Sequence, residues 1–323
     1  MKQIEPSHIR NVGTFGHGGE GKTSLAEAML FDTGENTRLG RVDDGSSLMD
    51  YEPEEINRKI TISASASHFE WDKHKFNLLD TPGYANFIAE AKASMRVVDG
   101  AIIVIGANSG VKVNTEAVWG YANEFQVPRI LYVCKMDTER ADFMRVVEEV
   151  KKTFPSQPAV PVQIPIGSEA NFKGVVDLIQ RKAYIYQGDG SGKFELKDVP
   201  PDLKEEVDRL REKMVETVVE MDDQLMEKYL ESGRSPQRRS FSAFGKGRLK
   251  GGWFPPFAVL RPGIWASNLF SIRWSSVSHL PLREVRCWGR IQRRGSPKRG
   301  NPRRTVPSPR SCSKRSRIPL QGN

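Results

Sequence analysis

The chain has 323 residues, with 49 Lys and Arg against 40 Asp and Glu, three cysteines and 9% aromatic residues. That length suits two domains, or one domain with an attachment, and the odd set Cys134, Cys287 and Cys312, with no CxxC pair, excludes a disulfide framework and a four-cysteine zinc site. The opening MKQIEPSHIR lacks the basic-then-apolar order of a signal peptide, and no apolar run approaches the ~20 residues that cross a bilayer, so a cytoplasmic protein with no membrane partner is expected.

Ile9, Val12 and Phe15 form a first strand that runs into a glycine loop and then a helix carrying Leu25, Ala28 and Met29. Strand patterns recur at 62–71, 76–79, 101–105 and 129–133, separated by helical patterns at 86–97, 115–125 and 141–154. This alternation predicts an α/β fold with a mostly parallel sheet and helices on both faces. Further on, Leu203, Val207, Leu210, Met214, Val218, Met221, Leu225 and Tyr229 step by three and four between Pro200-Pro201 and Gly233, which predicts one long amphipathic helix.

The composition changes at Gly233. Residues 1–233 carry 28 basic and 39 acidic side chains, a net −11, whereas 234–323 carry 21 basic groups, 17 of them Arg, and the single acid Glu284, a net +20. The tail also holds four of the six Trp and half of the Pro, and its apolar residues keep neither a 3.6 nor a 2 period.

Three motifs carry chemistry. Gly16-His17-Gly18-Gly19-Glu20-Gly21-Lys22-Thr23 matches GxxxxGK[ST] between a strand and a helix. Converging backbone N–H groups at such a loop receive phosphate oxygens. Lys22 is expected to reach the outer phosphates, the Thr23 hydroxyl to bind Mg²⁺, and Ser24 to complete the nucleotide-contacting set. Asp80-Thr81-Pro82-Gly83 follows a strand, so Asp80 emerges at its carboxyl end, where it can hold a magnesium water while the Gly83 amide senses a terminal phosphate. Lys135-Met136-Asp137 follows a later strand; the Asp137 carboxylate can accept two hydrogen bonds from a guanine edge while the Lys135 stem covers the base, which points to GTP rather than ATP.

Together with Arg58-Lys59-Ile60-Thr61-Ile62, these motifs resemble those of the translational GTPases, and Pro165-Ile166-Gly167-Ser168 with Phe172-Lys173-Gly174-Val175-Val176-Asp177-Leu178 resembles the insertion in the GTPase domain of elongation factor G. The resemblance spans residues 1–233. It implies a P-loop GTPase core over 1–157, incomplete at its end, an α/β insertion subdomain over 158–233, a GTP/GDP and Mg²⁺ site, and ribosome-stimulated hydrolysis that moves tRNA and mRNA. Thr61 is then the switch threonine that closes over Mg²⁺ and the terminal phosphate, and Lys22, Thr61 and Tyr84 are the expected catalytic residues. Four positions depart from the family pattern. Tyr84 stands where a histidine orients the attacking water, Cys134 where an Asn ties base to phosphate loop, Gly19 where an acid is usual, and Lys59 where Gly is usual. They suggest a divergent elongation factor G-like branch.

Residues 234–323 read as an Arg-rich, disordered tail translated out of frame. Read one base earlier, four stretches of it permit EISPEEL, VVPAVCGSA, GVQPLLD and PSPAERG in order, which resemble the continuation of elongation factor G past its insertion. A single lost base near the Gly233 codon suffices. On this reading the chain lacks the last guanine-contacting loop, CGSA, and the closing strand and helix of the GTPase domain, and is a truncated, defective form. Two alternatives accompany it: a ribosome-protection or release-type translational GTPase, and an RNA-binding protein acting through the basic tail, which otherwise meets nucleic acid nonspecifically or through the ribosome.

Overall fold

A computed structural model describes residues 4–157, 159–187, 194–219 and 257–260. All of them belong to one compact unit, Met1–Arg283. In chain order the first part runs β1 (Ile9–Gly16), α1 (Lys22–Asp32), α2 (Pro53–Arg58), β2 (Ser65–Trp71), β3 (His74–Asp80), α3 (Ile88–Val97), β4 (Gly100–Gly106), α4 (Val113–Glu124), β5 (Arg129–Cys134), α5 (Phe143–Thr153) and β6 (Val160–Pro161). It continues with β7 (Gln163–Ile166), β8 (Gly174–Asp177), β9 (Lys182–Tyr186), β10 (Phe194–Asp198), α6 (Lys204–Val219) and β11 (Phe257–Leu260).

The main sheet has the order β2-β3-β1-β4-β5-β11-β6; β2 pairs antiparallel with β3 and every other pairing is parallel. A parallel sheet is covered on both faces, and β4 accordingly reads Gly-Ala-Ile-Ile-Val-Ile-Gly with every residue buried. On β2 and β3, Phe69 and Phe76 stack with ring centroids 5.1 Å apart. Near the amino end of β5, Trp119 of α4 stacks on Phe154 at 4.0 Å, and Arg129 lies 4.6 Å over the same indole and donates to the Trp119 carbonyl. The second sheet is antiparallel in the order β10-β9-β8-β7, with α6 burying Val207, Leu210, Met214 and Val215.

Several boundaries differ from the sequence expectation for identifiable reasons. The strand expected from Ile62 starts at Ser65, because the Ile62 and Ser63 amides are taken by the Glu55 carboxylate at 2.8 and 3.0 Å instead of by a neighbouring strand. The helix expected from Ala141 starts at Phe143, because Asp142 caps it by accepting from the Arg145 amide at 3.0 Å. Val160–Pro161, expected in the insertion, lies in the main sheet, and the second sheet starts at Gln163. The long helix is described to Val219; its expected continuation to Tyr229 lies outside the described residues.

The largest departure is β11. The sequence predicts a core without its closing strand and a tail without structure, yet four residues of that tail pair parallel with Ile130–Val133 on one side and Val160–Pro161 on the other. Phe-Ala-Val-Leu is a run of four apolar residues, which is what a strand flanked on both edges in a parallel sheet requires, whatever the composition around it. The rest of 234–323 lies outside the described residues.

Candidate functional site

The carboxyl ends of β1, β3 and β5 carry the three motifs to one edge of the sheet. Gly16 ends β1, Gly21 sits at the start of α1 with φ 87°, Lys22, Thr23 and Ser24 open that helix, Asp80 ends β3, and Cys134 ends β5. A cavity of about 280 Å³ lies there, lined by Gly18, Gly19, Gly21, Lys22, Thr23, Ser24, Thr61, Gly83, Tyr84 and Lys135 among the expected residues. Gly16, Glu20, Asp80, Cys134 and Asp137 do not line it.

Lys22 is buried, and its Nζ donates to the His17 carbonyl at 2.9 Å while forming no ion pair among the described residues. Burial pushes its pKa down, against the pull of Asp80, Glu20 and Asp50. A buried ammonium without a counter-ion, framed by loop amides, is suited to an incoming phosphate. The Thr23 and Thr61 hydroxyls lie 2.9 Å apart. Asp80 accepts from Thr14 Oγ1 at 2.6 Å through one oxygen, while its buried Oδ2 has no hydrogen-bond partner; burial pushes this carboxyl up, and Thr14, Thr23 and Lys22 pull it back. Thr81 Oγ1 donates to the Thr14 carbonyl at 2.6 Å and fixes the strand end.

Sequence reasoning missed a second carboxylate here. Asp50 lines the cavity, is buried without a well-formed hydrogen bond to either oxygen, and is pushed up to about 6, by burial first and by Asp80, Glu55 and Glu27 next, with Thr61 opposing. Two buried acids on α1 and α2 build this wall. Glu27 Oε1 accepts from Ser47 Oγ at 2.7 Å and from the Leu48 and Met49 amides, which delivers Asp50. Glu55 holds Ile62 and Ser63, which delivers Thr61. No local pattern in 33–52 announces the arrangement. Two hydroxyls with two under-satisfied carboxylates form an all-oxygen set, and that donor chemistry fits Mg²⁺.

Gly83 meets the phosphate loop closely. A Cβ there would lie 2.2 Å from Lys22 Nζ and 2.6 Å from the Gly18 nitrogen, and the Gly83 carbonyl accepts from Asn114 Nδ2 at 2.7 Å. The Tyr84 ring, 40% exposed, rests on Gly18, where a Cβ would come within 2.8 Å of the ring. On the base side, Cys134 Sγ lies 2.9 Å from the Glu20 carbonyl and links β5 to the phosphate loop. Burial pushes that thiol up to about 12, so it stays protonated and keeps the donor. Lys135 Nζ donates to the Gly19 carbonyl at 2.6 Å, laying its stem across the loop, and Asp137 is exposed. Glu20 points away from the cavity, and Lys59, where the family pattern has Gly, adopts φ 56°, the left-handed conformation that explains that pattern.

The family model described as "Elongation factor Tu GTP binding domain" matches residues 7–260. The chain is 42% identical over 251 residues to elongation factor G 1 of Bdellovibrio bacteriovorus and 43% identical over 252 residues to elongation factor G 2 of Vibrio cholerae, covering 77% and 78% of this chain and 36% of each relative. It thus spans about a third of the length of the curated relatives it matches. A crystal structure of a Thermus thermophilus protein superposes with a TM-score of 0.76 at 31% identity, over 85% of this chain and 40% of that one. Among the described residues no helix is long and apolar enough to cross a membrane. The chain belongs to the elongation factor Tu GTP-binding domain family, and its described residues form a P-loop α/β domain similar to the GTPase domain of elongation factor G.

Proposed function

We propose that this chain binds GTP and GDP with Mg²⁺ and is the nucleotide domain of an elongation factor G-like translation factor that acts on the ribosome in the cytoplasm. The observation that carries the reading is the convergence, at one cavity, of a buried Lys22 with no ion pair among the described residues, the Thr23–Thr61 hydroxyl pair and the under-satisfied carboxylate of Asp50. Lys22 and the loop amides bind the phosphates, Thr23 and Thr61 hold the metal with Asp80 and Asp50 behind them, and Asp137 selects guanine. The bound ion would supply neutralisation of phosphate charge. Hydrolysis is assigned to ribosome stimulation, with Tyr84 orienting water through its phenol oxygen, which both donates and accepts but cannot become a cation. The test is titration of the full chain with fluorescent GTP and GDP, with and without Mg²⁺. Lys22→Ala should abolish binding, and unchanged affinity would refute the phosphate-loop assignment.

The charge break at Gly233 supports a second element of the reading: beyond it the chain is out of frame, and guanine affinity is weakened by the loss of the last base-contacting loop. Restoring one base near that codon should tighten GTP binding about a hundredfold or more, at roughly 1 to 3 kcal/mol per missing contact. Equal affinity in both proteins would overturn it. The RNA-binding alternative rests on residues outside the described ones.

A further inference from the structure

Glu20 sits in the phosphate loop with 1% of its surface exposed, which is an awkward place for a carboxylate beside a polyanionic ligand. It is not left alone. Lys112 Nζ lies 2.7 Å from Oε1, and Ser109 Oγ lies 2.9 and 3.0 Å from the two oxygens. Both residues come from the segment that leads from β4 into α4. Two residues beyond Lys112, on the first turn of that helix, the buried Asn114 grips the Gly83 carbonyl. The segment 109–114 therefore holds two loops that have no sequence proximity to it or to each other.

We propose that this segment is a positioning brace for the nucleotide site: Lys112 cancels the Glu20 charge and fixes the phosphate loop, and Asn114 fixes the Gly83 peptide. The proposal rests on the nucleotide-binding reading. Ser109, Lys112 and Asn114 do not line the cavity; each acts through the loop it holds. Removing Lys112 leaves a buried carboxylate behind the phosphates with only a hydroxyl to satisfy it, and the loop can relieve that only by turning Glu20 outward, which distorts the cradle. Besides Lys112, the titratable groups facing Glu20 are Lys22 and His17 from its own loop and Cys134 of β5, which touches its carbonyl; burial pushes His17 down, and Lys22 Nζ is held on the cavity side by the His17 carbonyl, so Lys112 is the cation that pairs with Glu20 from behind. Asn114 acts differently, because the Gly83 amide matters to a terminal phosphate and not to a diphosphate.

The test uses the full chain with fluorescent GDP and GTP and compares wild type, Lys22→Ala, Lys112→Met, Lys112→Arg, Glu20→Gln with Lys112→Met, and Asn114→Ala. Lys112→Met should weaken both nucleotides about 10- to 100-fold, Lys112→Arg much less, and the double variant should recover most of the loss, because an amide in place of the carboxylate needs no counter-ion. Asn114→Ala should weaken GTP at least about fivefold more than GDP. Recovery by charge removal and a GTP/GDP split are effects that loss of packing alone does not produce. If Lys112→Met does not fold, the Asn114→Ala split decides. Wild-type affinities in Lys112→Met, or a double variant as weak as Lys112→Met, overturn the proposal alone; a wild-type chain that binds neither nucleotide overturns the underlying reading and the proposal with it.

Discussion

Replacing Gly83 with alanine tests how closely the DTPG turn and the phosphate loop are packed. The new Cβ would lie 2.2 Å from Lys22 Nζ, 2.6 Å from the Gly18 nitrogen and 2.6 Å from the His17 carbonyl carbon. Carbon contacts are most favourable at about 3.5–4.0 Å, so something must move by roughly 1 Å. The lysine terminus can swing, but the two backbone atoms move only with the loop that binds phosphate. Gly83 cannot retreat either, since Asn114 holds its carbonyl at 2.7 Å from the other side. Overpacking of this kind costs about 1–3 kcal/mol. Charged to the bound state, that is about a fivefold to 150-fold loss of affinity. Equilibrium titration with fluorescent GTP and GDP reads the loss. Gly120, exposed on α4 with nothing beyond its own helix turn within 4 Å of where an added methyl would lie, supplies the control: Gly120→Ala should leave binding intact and stabilise the domain by up to about 1 kcal/mol. Gly83→Ala affinities within twofold of wild type for both nucleotides would refute the reasoning.

Asp50→Asn should stabilise the nucleotide-free protein near pH 7. The folded-state value of about 6 lies above the ordinary 3.8, so the stability this group contributes is complete below pH 4 and is lost as pH rises through 6, by roughly 3 kcal/mol at most; urea midpoints of the two proteins that stay parallel from pH 4 to 7 would contradict this. Lys59→Gly should raise the melting temperature, because it removes a left-handed conformation that costs a residue with a Cβ about 1–2 kcal/mol, partly offset by the greater freedom of an unfolded glycine; an unchanged or lower midpoint speaks against it.

The phosphate loop, DTPG and the Lys135–Asp137 turn were legible because each is encoded within a few consecutive residues, and the parallel sheet then brings them together. Most of the core was legible for the same reason, through runs such as Gly100–Gly106. What escaped was carried by single polar residues acting at a distance. Glu27 occupies an ordinary helical position, and only the folded chain shows it collecting amides from 48 and 49 and thereby presenting Asp50. Lys112 and Asn114 look like surface residues at a helix start, and their partners are 92 and 31 positions away. β10, Phe194–Asp198, is exposed along its whole length, and its alternation of Phe194 and Leu196 with Glu195 and Lys197 is too short to betray it. By residue type Cys134 reads as a weak substitute for Asn, and only the folded chain shows its thiol within reach of the Glu20 carbonyl.

The place of β11 between β5 and β6 has a consequence in time. Cys134 completes β5, but the strand that covers its edge ends at Leu260, 126 residues later. At ~5–20 residues per second, synthesis takes roughly 6–25 s to bridge that gap. During it, Ile130, Leu131 and Val133 lie on a strand whose backbone donors and acceptors on that side have no partner, and such an edge is a template for another strand. The pairing that finally closes it spans most of the domain, so the last step of sheet assembly is also the one with the greatest loop-closure entropy. A chaperone, or a second nascent chain on the same message, competes for that slot for as long as the bridging residues are still being made.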